Sequence, residues 1–504
     1  MKSAFPVFFL LTVLFSCTTA RKNYNPDQRF GRKALDADYV LLRNILEAKH
    51  PALYWYTPKA RMDFYFDSLR NQIADSMTAQ QFGWQVLAPL LQKIRCGHTS
   101  FSMDNQWRKF IRNKQIPGFP LQVKTWGDTM IVTANLNKKD SLIRSGMRIT
   151  SINHMPVREL QENMFRYLPT DGYAHNINFS RLSANFPYYH RNIYGIFKNY
   201  RVGIPDSSGE EKKYLIPLWS PEADSTEKKG TGKGPTVKMS AKEKRQLKRD
   251  RYRRFGIDSV QNYAALTLNT FNNGRFKRLR RFFRSSFREL EKNRIENLVI
   301  DLRNNGGGNI DLYVLLAKYI KDSAFRVSDS TYARAKSLSP YTRHIRHGWI
   351  NNIGLLFLTK KNREGQYRLG HYERHYYRPK KKSHFNGQVY VLTAGPTFSA
   401  STLFCHAVKG QKNVLLVGEE TGGGWHGNSG VMIPDIRLPQ TKLLVRLPLF
   451  KIVQFNHVAH TGTGVIPDIL IPPTAEGVTK RIDRKMVFVK ELIRRNKGLH
   501  QGSM

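Results

Sequence analysis

The chain is predicted to be an α/β protein, on three observations. Apolar runs such as Leu298–Ile300, Val389–Leu392 and Val414–Val417 are continuous rather than alternating and read as strands. Each run ends in glycine or Gly-Pro, and helix-period segments come between them. Strands alternating with helices in this way argue for an α/β core from about Gly256 to Pro473.

In chain order, Ala34 to Trp107 reads as helical. "DADYVLLRNILEAKHPAL" and "AQQFGWQVLAPLLQKI" place apolar residues at three- and four-residue spacings. Between about Ile116 and Trp219 the period shortens, with alternation and Gly-Asp turn chemistry in "FPLQVKTWGDTMIVTANL". Pro221 to Arg254 holds twelve basic against five acidic side chains and lacks core-forming residues, which predicts an exposed loop. "YAALTLNTF" is then a strand. "RFKRLRRFFRSSFRELEKN" is an amphipathic helix with Phe276, Leu279, Phe283, Phe287 and Leu290 on one side. The basic stretch from Glu476 to Asn496 reads as a terminal helix.

The 504 residues suffice for two or three domains. Eighty-two Lys and Arg against 38 Asp and Glu give a net charge of +44, a field that favours anionic partners. The N-terminus narrows the choice among them. Lys2, an apolar stretch from Ala4 to Phe15 and then Ser16-Cys17 form an export signal too short to span a bilayer. Leu14-Phe15-Ser16-Cys17 resembles a bacterial lipobox, in which Cys17 is lipidated. The expectation is an exported, periplasm-facing envelope lipoprotein anchored to the membrane by its lipid, with no nucleic-acid partner. Besides Cys17 there are only Cys96 and Cys405, so this is not a disulfide scaffold. One bridge or two buried thiols are both open.

Three stretches carry candidate chemistry. "DLRNNGGG" (Asp301 to Gly308) lies where a strand meets a helix, so its N–H groups are free for an anion. It has neither a GK[ST] ending nor GxGxxG, and no nucleotide, other cofactor or metal is expected. "TAGPTFSAST" sets Ser399, Ser401 and Thr402 at the next strand–helix junction. A serine there is an N-cap or a nucleophile, and the local pattern leaves both open. "IRCGHTSFS" puts His98 in a turn, free to reach another part of the fold.

"LVIDLRNNGGG", "TAGPTFSAS", "LLVGEETGGG" and "GTGVIPDI" together resemble the successive blocks of the C-terminal-processing (tail-specific) serine peptidases. "GMRITSINHMPV" is similar to the core segment of the PDZ domain that such peptidases carry. The resemblance implies a crotonase/ClpP-like α/β peptidase core with an N-terminal helical region and an inserted PDZ-like, β-rich domain. The expected division is a signal peptide over 1–17, tether and helical region 18–112, PDZ-like domain 113–220, basic insertion 221–255, peptidase core 256–475 and C-terminal helix 476–504. The activity implied is endoproteolysis of polypeptides. Ser399 would be the nucleophile, the Ala400 N–H one oxyanion donor and Gly306 or Gly307 the other, while Ser401 packs or caps. Gly118, Phe119, Pro120 and Leu121 would form the loop that receives a peptide carboxylate. The lysine that serves as base in the Ser/Lys members is replaced by Gly424. A tricorn-like variant is implied instead, with His98 as base and Glu420, Glu419 or Asp468 as the acid that orients it. The contrasting expectations are a degenerate peptide- or lipid-binding lipoprotein on the same fold, and a basic adhesin working through the 221–254 insertion. Oligomeric state stays open.

Overall fold

The computed structural model describes residues 24–501 except 113, 139, 222–238 and 457. The expected signal peptide and lipidation at Cys17 lie outside the described residues, as do residues 222–238 of the basic insertion. Among the described residues no helix is long and apolar enough to cross a membrane.

The N-terminal region is helical as its periodicity predicts. Helices α1 (Arg32–Lys49) and α2 (Lys59–Arg70) bury Leu35, Leu42, Ile45, Leu46, Met62 and Phe66 in a core shared with Ile436, Val445 and Phe450 from far along the chain. A further helical stretch over Ala79–Lys93 leads into the turn that carries Cys96 and His98.

Residues 118–219 build a β-rich unit around its own core of Phe119, Leu121, Val132, Ile149, Leu160, Phe186 and Val202. Strands β1 (Leu121–Trp126) and β2 (Thr129–Asn135) pair antiparallel. Helix α3 (Val157–Phe165) and helix α4 (Asn176–Tyr194) follow. The carboxylate-loop expectation at Gly118–Leu121 meets a different geometry. The Gly118 N–H is bonded to Trp219 O at 3.1 Å, and Pro120 has no N–H to give. Phe119 is fully buried, its ring 5.2 Å from Phe186 and 5.5 Å from His190. Helix α4 lies along β1, and the Thr125 N–H donates to Ser183 Oγ at 2.9 Å. These four residues serve the core rather than a ligand.

The basic stretch also departs from expectation. Its described end forms helix α5 (Ala241–Asp250), begun by a reciprocal capping box between Ser240 and Glu243. It is solvent-facing, as predicted, but helical because good helix formers follow a strong start signal.

The central sheet has six strands: β3 (Arg253–Asp258), β4 (Tyr263–Leu268), β5 (Asn297–Asp301), β6 (Gln388–Thr393), β7 (Val414–Gly418) and β8 (Ile469–Leu470), in that spatial order. β3 and β4 are antiparallel and every other pair is parallel. The register sets Ile300 beside Val391 and Val391 beside Leu416. Leu298, Ile300, Val389, Val391 and Leu416 face one core; Val299, Tyr390, Leu392 and Val417 face another with Val489 and Ile493. The uninterrupted apolar runs thus reflect cover on both faces. Helices α6 (Leu279–Lys292), α7 (Ile310–Ala317) and α8 (Ala400–Val408) cover the first face, and α9 (Arg484–Gln501) covers the second. On α6 the buried aromatic set is Phe282, Phe283 and Phe287. Phe276 precedes the helix and stays 38% exposed.

Arg303, just past β5, donates to both carboxylate oxygens of Asp301 and of Asp483 at 2.6–2.9 Å. This clamp fastens the start of α9 to the strand that feeds the glycine loop. Burial lowers the Arg303 pKa, but the hydrogen bonds from the two carboxylates outweigh it and raise the pKa overall. Phe287 stacks on Tyr319 at 4.3 Å between ring centres and is 1% exposed. Phe287→Ala is expected to cost about 3–5 kcal/mol, read as a lowered denaturant midpoint with an unchanged slope.

Candidate active site

Strand β6 ends at Thr393, and the chain turns through Gly395-Pro396 to enter α8 at Ala400. Two hydroxyls hold this turn. Thr397 Oγ1 donates to Leu302 O (2.9 Å) and accepts from the Ala394 N–H (3.1 Å), and Thr402 Oγ1 donates to Thr397 O. Ser399 sits at the apex with φ 55° and ψ −124°, a conformation a residue with a Cβ rarely adopts. Its side chain makes no capping hydrogen bond among the described residues, and it is part-exposed. The cap reading therefore fails for Ser399. Ser401 is fully buried with no partner on its Oγ, so it packs and does not cap.

The glycine loop lies directly beneath. Phe398 N–H donates to Asn305 O at 3.1 Å. A Cβ on Gly307 (φ 93°) would come within 2.7 Å of Ser399 Cβ and Phe398 O. Only glycine permits that approach. The two candidate donors of the loop differ: the Gly307 N–H is already bonded to Asn305 Oδ1 at 3.0 Å, whereas space beside Gly306 is open for 4 Å. The "EETGGG" segment after β7 closes another side, where a Cβ on Gly423 would stand 3.1 Å from Ser399 N. At Gly424 a Cβ would meet Gly427 O at 2.5 Å, which leaves no room there for a lysine side chain.

His98 reaches this turn from the N-terminal region. Its ring centre is 4.7 Å from that of Phe398, the residue before Ser399, and it is 4% exposed. Burial, then the charges of Arg446 and Arg181, lower its pKa to about 3, so the resting imidazole is neutral. Its Nδ1 is buried and has no hydrogen-bond partner among the described residues.

The three acids anticipated beside His98 are engaged elsewhere. Glu419 is ion-paired with Lys485 and Asp468 with Lys409. Glu420 Oε1 accepts from the Gly464 N–H at 2.6 Å. None of them hydrogen-bonds to His98, whose surroundings hold a different carboxylate. Asp171 comes from the loop between α3 and α4 and is 3% exposed. A donor atom of Asp171 lies within 4.8 Å of one of His98 and of Cys96 Sγ. Its Oδ1 accepts from the Gly97 N–H at 2.7 Å, while Oδ2 is buried and makes no well-formed hydrogen bond among the described residues. Burial raises the Asp171 pKa to about 7 against the opposing pull of the Gly97 and Gly424 N–H groups and Arg181. Arg181 props the loop by donating to Pro169 O and to Asn178 Oδ1. The Asp-Gly pair at 171–172 signals only a turn in sequence. Cys96 and Cys405 are both free, buried thiols in separate cores.

Residues 262–471 match the profile of peptidase family S41. The curated proteins contain no significant match to the chain. Among solved structures, mature CPAF complexed with lactacystin superposes with a TM-score of 0.62 at 14% identity, covering 92% of this chain and 98% of that one. Mature CPAF alone gives 0.61 at 15% identity, over 92% and 98%. At such identity the likeness is one of fold, and it extends well beyond the matched domain. With a strained serine over a glycine loop at the junction the profile spans, residues 262–471 form a peptidase family S41 domain, that of a serine-type peptidase.

Proposed function

We propose that this is an exported envelope endopeptidase in which Ser399 attacks the scissile carbonyl, His98 takes its proton and Asp171 holds the imidazolium. The single observation that carries the reading is Ser399 at positive φ, uncapped and pressed onto Gly307, with His98 against the neighbouring Phe398. A strained strand-to-helix turn presents a nucleophilic hydroxyl and its following N–H together. The Ala400 N–H at the first turn of α8 is one oxyanion donor. Gly306 is favoured over Gly307 as the second, since Gly307 is already bonded. In this reading His98 works through Nε2 and leaves its buried, unpartnered Nδ1 to Asp171. Its imidazole is neutral at rest, as a proton acceptor must be. The acyl-enzyme formed by Ser399 is then resolved by water. Envelope location and lipid anchoring rest on the Lys2, Ala4–Phe15 and Cys17 pattern. A PDZ-like role for residues 118–219 rests on the "GMRITSINHMPV" segment, without the carboxylate loop at Gly118–Leu121.

The glycine at position 424, where the Ser/Lys members have their base, favours a second reading as a binding protein without turnover. A fluorophosphonate probe separates the two. Labelling at neutral pH should be lost in Ser399→Ala and kept in Ser401→Ala; an unlabelled wild type would favour the binder. His98→Ala should lower peptide hydrolysis about 10²-fold or more.

The pH dependence follows from Asp171. With a pKa raised to about 7, it is protonated below that value and gains its charge above it. The rate kcat/KM should therefore rise along an acid limb near pH 7, a limb that belongs to the coupled Asp171–His98 pair. Asp171→Asn should remove the limb and lower kcat about 10²- to 10⁴-fold. For stability the sign is opposite. A raised carboxyl pKa favours the fold at pH below the ordinary aspartate value, and that contribution is lost as pH rises through about 7. Asp171→Asn should thus be more stable than wild type at pH 8 and no more stable at pH 4, measured by denaturant midpoints.

A further inference from the structure

Cys96 has no part in the mechanism above, yet its sulfur shares a pocket with the proposed base. One donor atom each from Cys96, His98 and Asp171 lie within 4.8 Å of one another, and all three residues are 3–4% exposed. Two of these side chains carry a buried, unsatisfied atom: His98 Nδ1 and Asp171 Oδ2 have no hydrogen-bond partner among the described residues. Buried polar atoms left unpaired are costly. A thiol, an imidazole and a carboxylate are together the donor set of a borderline-soft divalent cation. Tetrahedral zinc bonds of 2.0–2.3 Å set donors roughly 3.5 Å apart, so binding requires a closure of about 1 Å.

We infer that Cys96, His98 and Asp171 form an inhibitory site for Zn²⁺ or a similar cation, with a water as fourth ligand. Binding would release the Cys96 thiol proton, and that of Asp171 where it is still held, so affinity rises with pH. With the metal on Nδ1, the one proton of the neutral imidazole resides on Nε2. That nitrogen then has no lone pair for the Ser399 proton, and Asp171 is withdrawn from its role beside the ring. The inhibitory consequence rests on His98 being the base; the metal site itself does not.

The test uses the full chain. Co²⁺ should bind one equivalent and give a thiolate-to-cobalt charge-transfer band, and Zn²⁺ should displace it. Zn²⁺ should also suppress hydrolysis, with recovery on EDTA. Cys96→Ser should keep the metal-free rate, lose the band and weaken zinc inhibition at least about ten-fold. Cys405→Ser, altered in the other core, should behave as wild type. A cobalt band that survives in Cys96→Ser, or equal zinc inhibition of Cys96→Ser and wild type, overturns the site. Failure of the catalytic reading looks different, since hydrolysis is then absent without metal while the Cys96-dependent band still forms.

Discussion

The contact between the glycine loop and the Ser399 turn is the constraint on which the site depends. Gly307 and Ser399 both hold positive φ, and the two backbones approach so closely that neither has room for an added side-chain atom between them. The conformation is open to glycine but unfavourable for Ser399 alone. Each is held by the sheet beneath it, because β5 and β6 are parallel neighbours whose ends deliver the two turns to one edge. The crevice at the carboxyl ends of parallel strands is where such folds place ligands. Here it receives the Ser399 hydroxyl beside the glycine loop.

Strain at this turn is offset by an unusually thorough set of local ties. Thr397 and Asn305 bond across the gap between the two loops, Thr402 ties the serine turn to itself, and Arg303 pins the base of the glycine loop to the C-terminal helix. The block "DLRNNGGG" therefore mixes two tasks. Asp301, Arg303 and Asn305 are scaffold, and only the glycines face the chemistry.

Much of this was legible in the sequence. The doubly covered strands announce themselves as unbroken apolar runs, and the serine, histidine and glycine blocks stand out by their order along the chain. What stayed hidden depends on tertiary contact. Asp171 sits in an unremarkable Asp-Gly turn, and its meaning comes from burial beside His98. Glu419, Glu420 and Asp468 lie near informative motifs, yet each carboxylate is occupied by a lysine or a backbone N–H. Gly118–Leu121 has the expected position but not the role, because α4 docks on β1 and Trp219 takes the Gly118 amide. Phe276 fits the helical stripe by spacing but falls just before the first turn of α6, so Phe282 takes its place in the core.

His98 and Asp171 both lie outside residues 262–471, the stretch by which the family is detected. The proposed nucleophile belongs to the sheet core, while the proposed base comes from the N-terminal helical region and its carboxylate from the loop between α3 and α4. On that proposal, hydrolysis is a coincidence signal. It requires independently built cores to be seated on one another, and a chain that has finished only one of them carries a primed serine with nothing to take its proton.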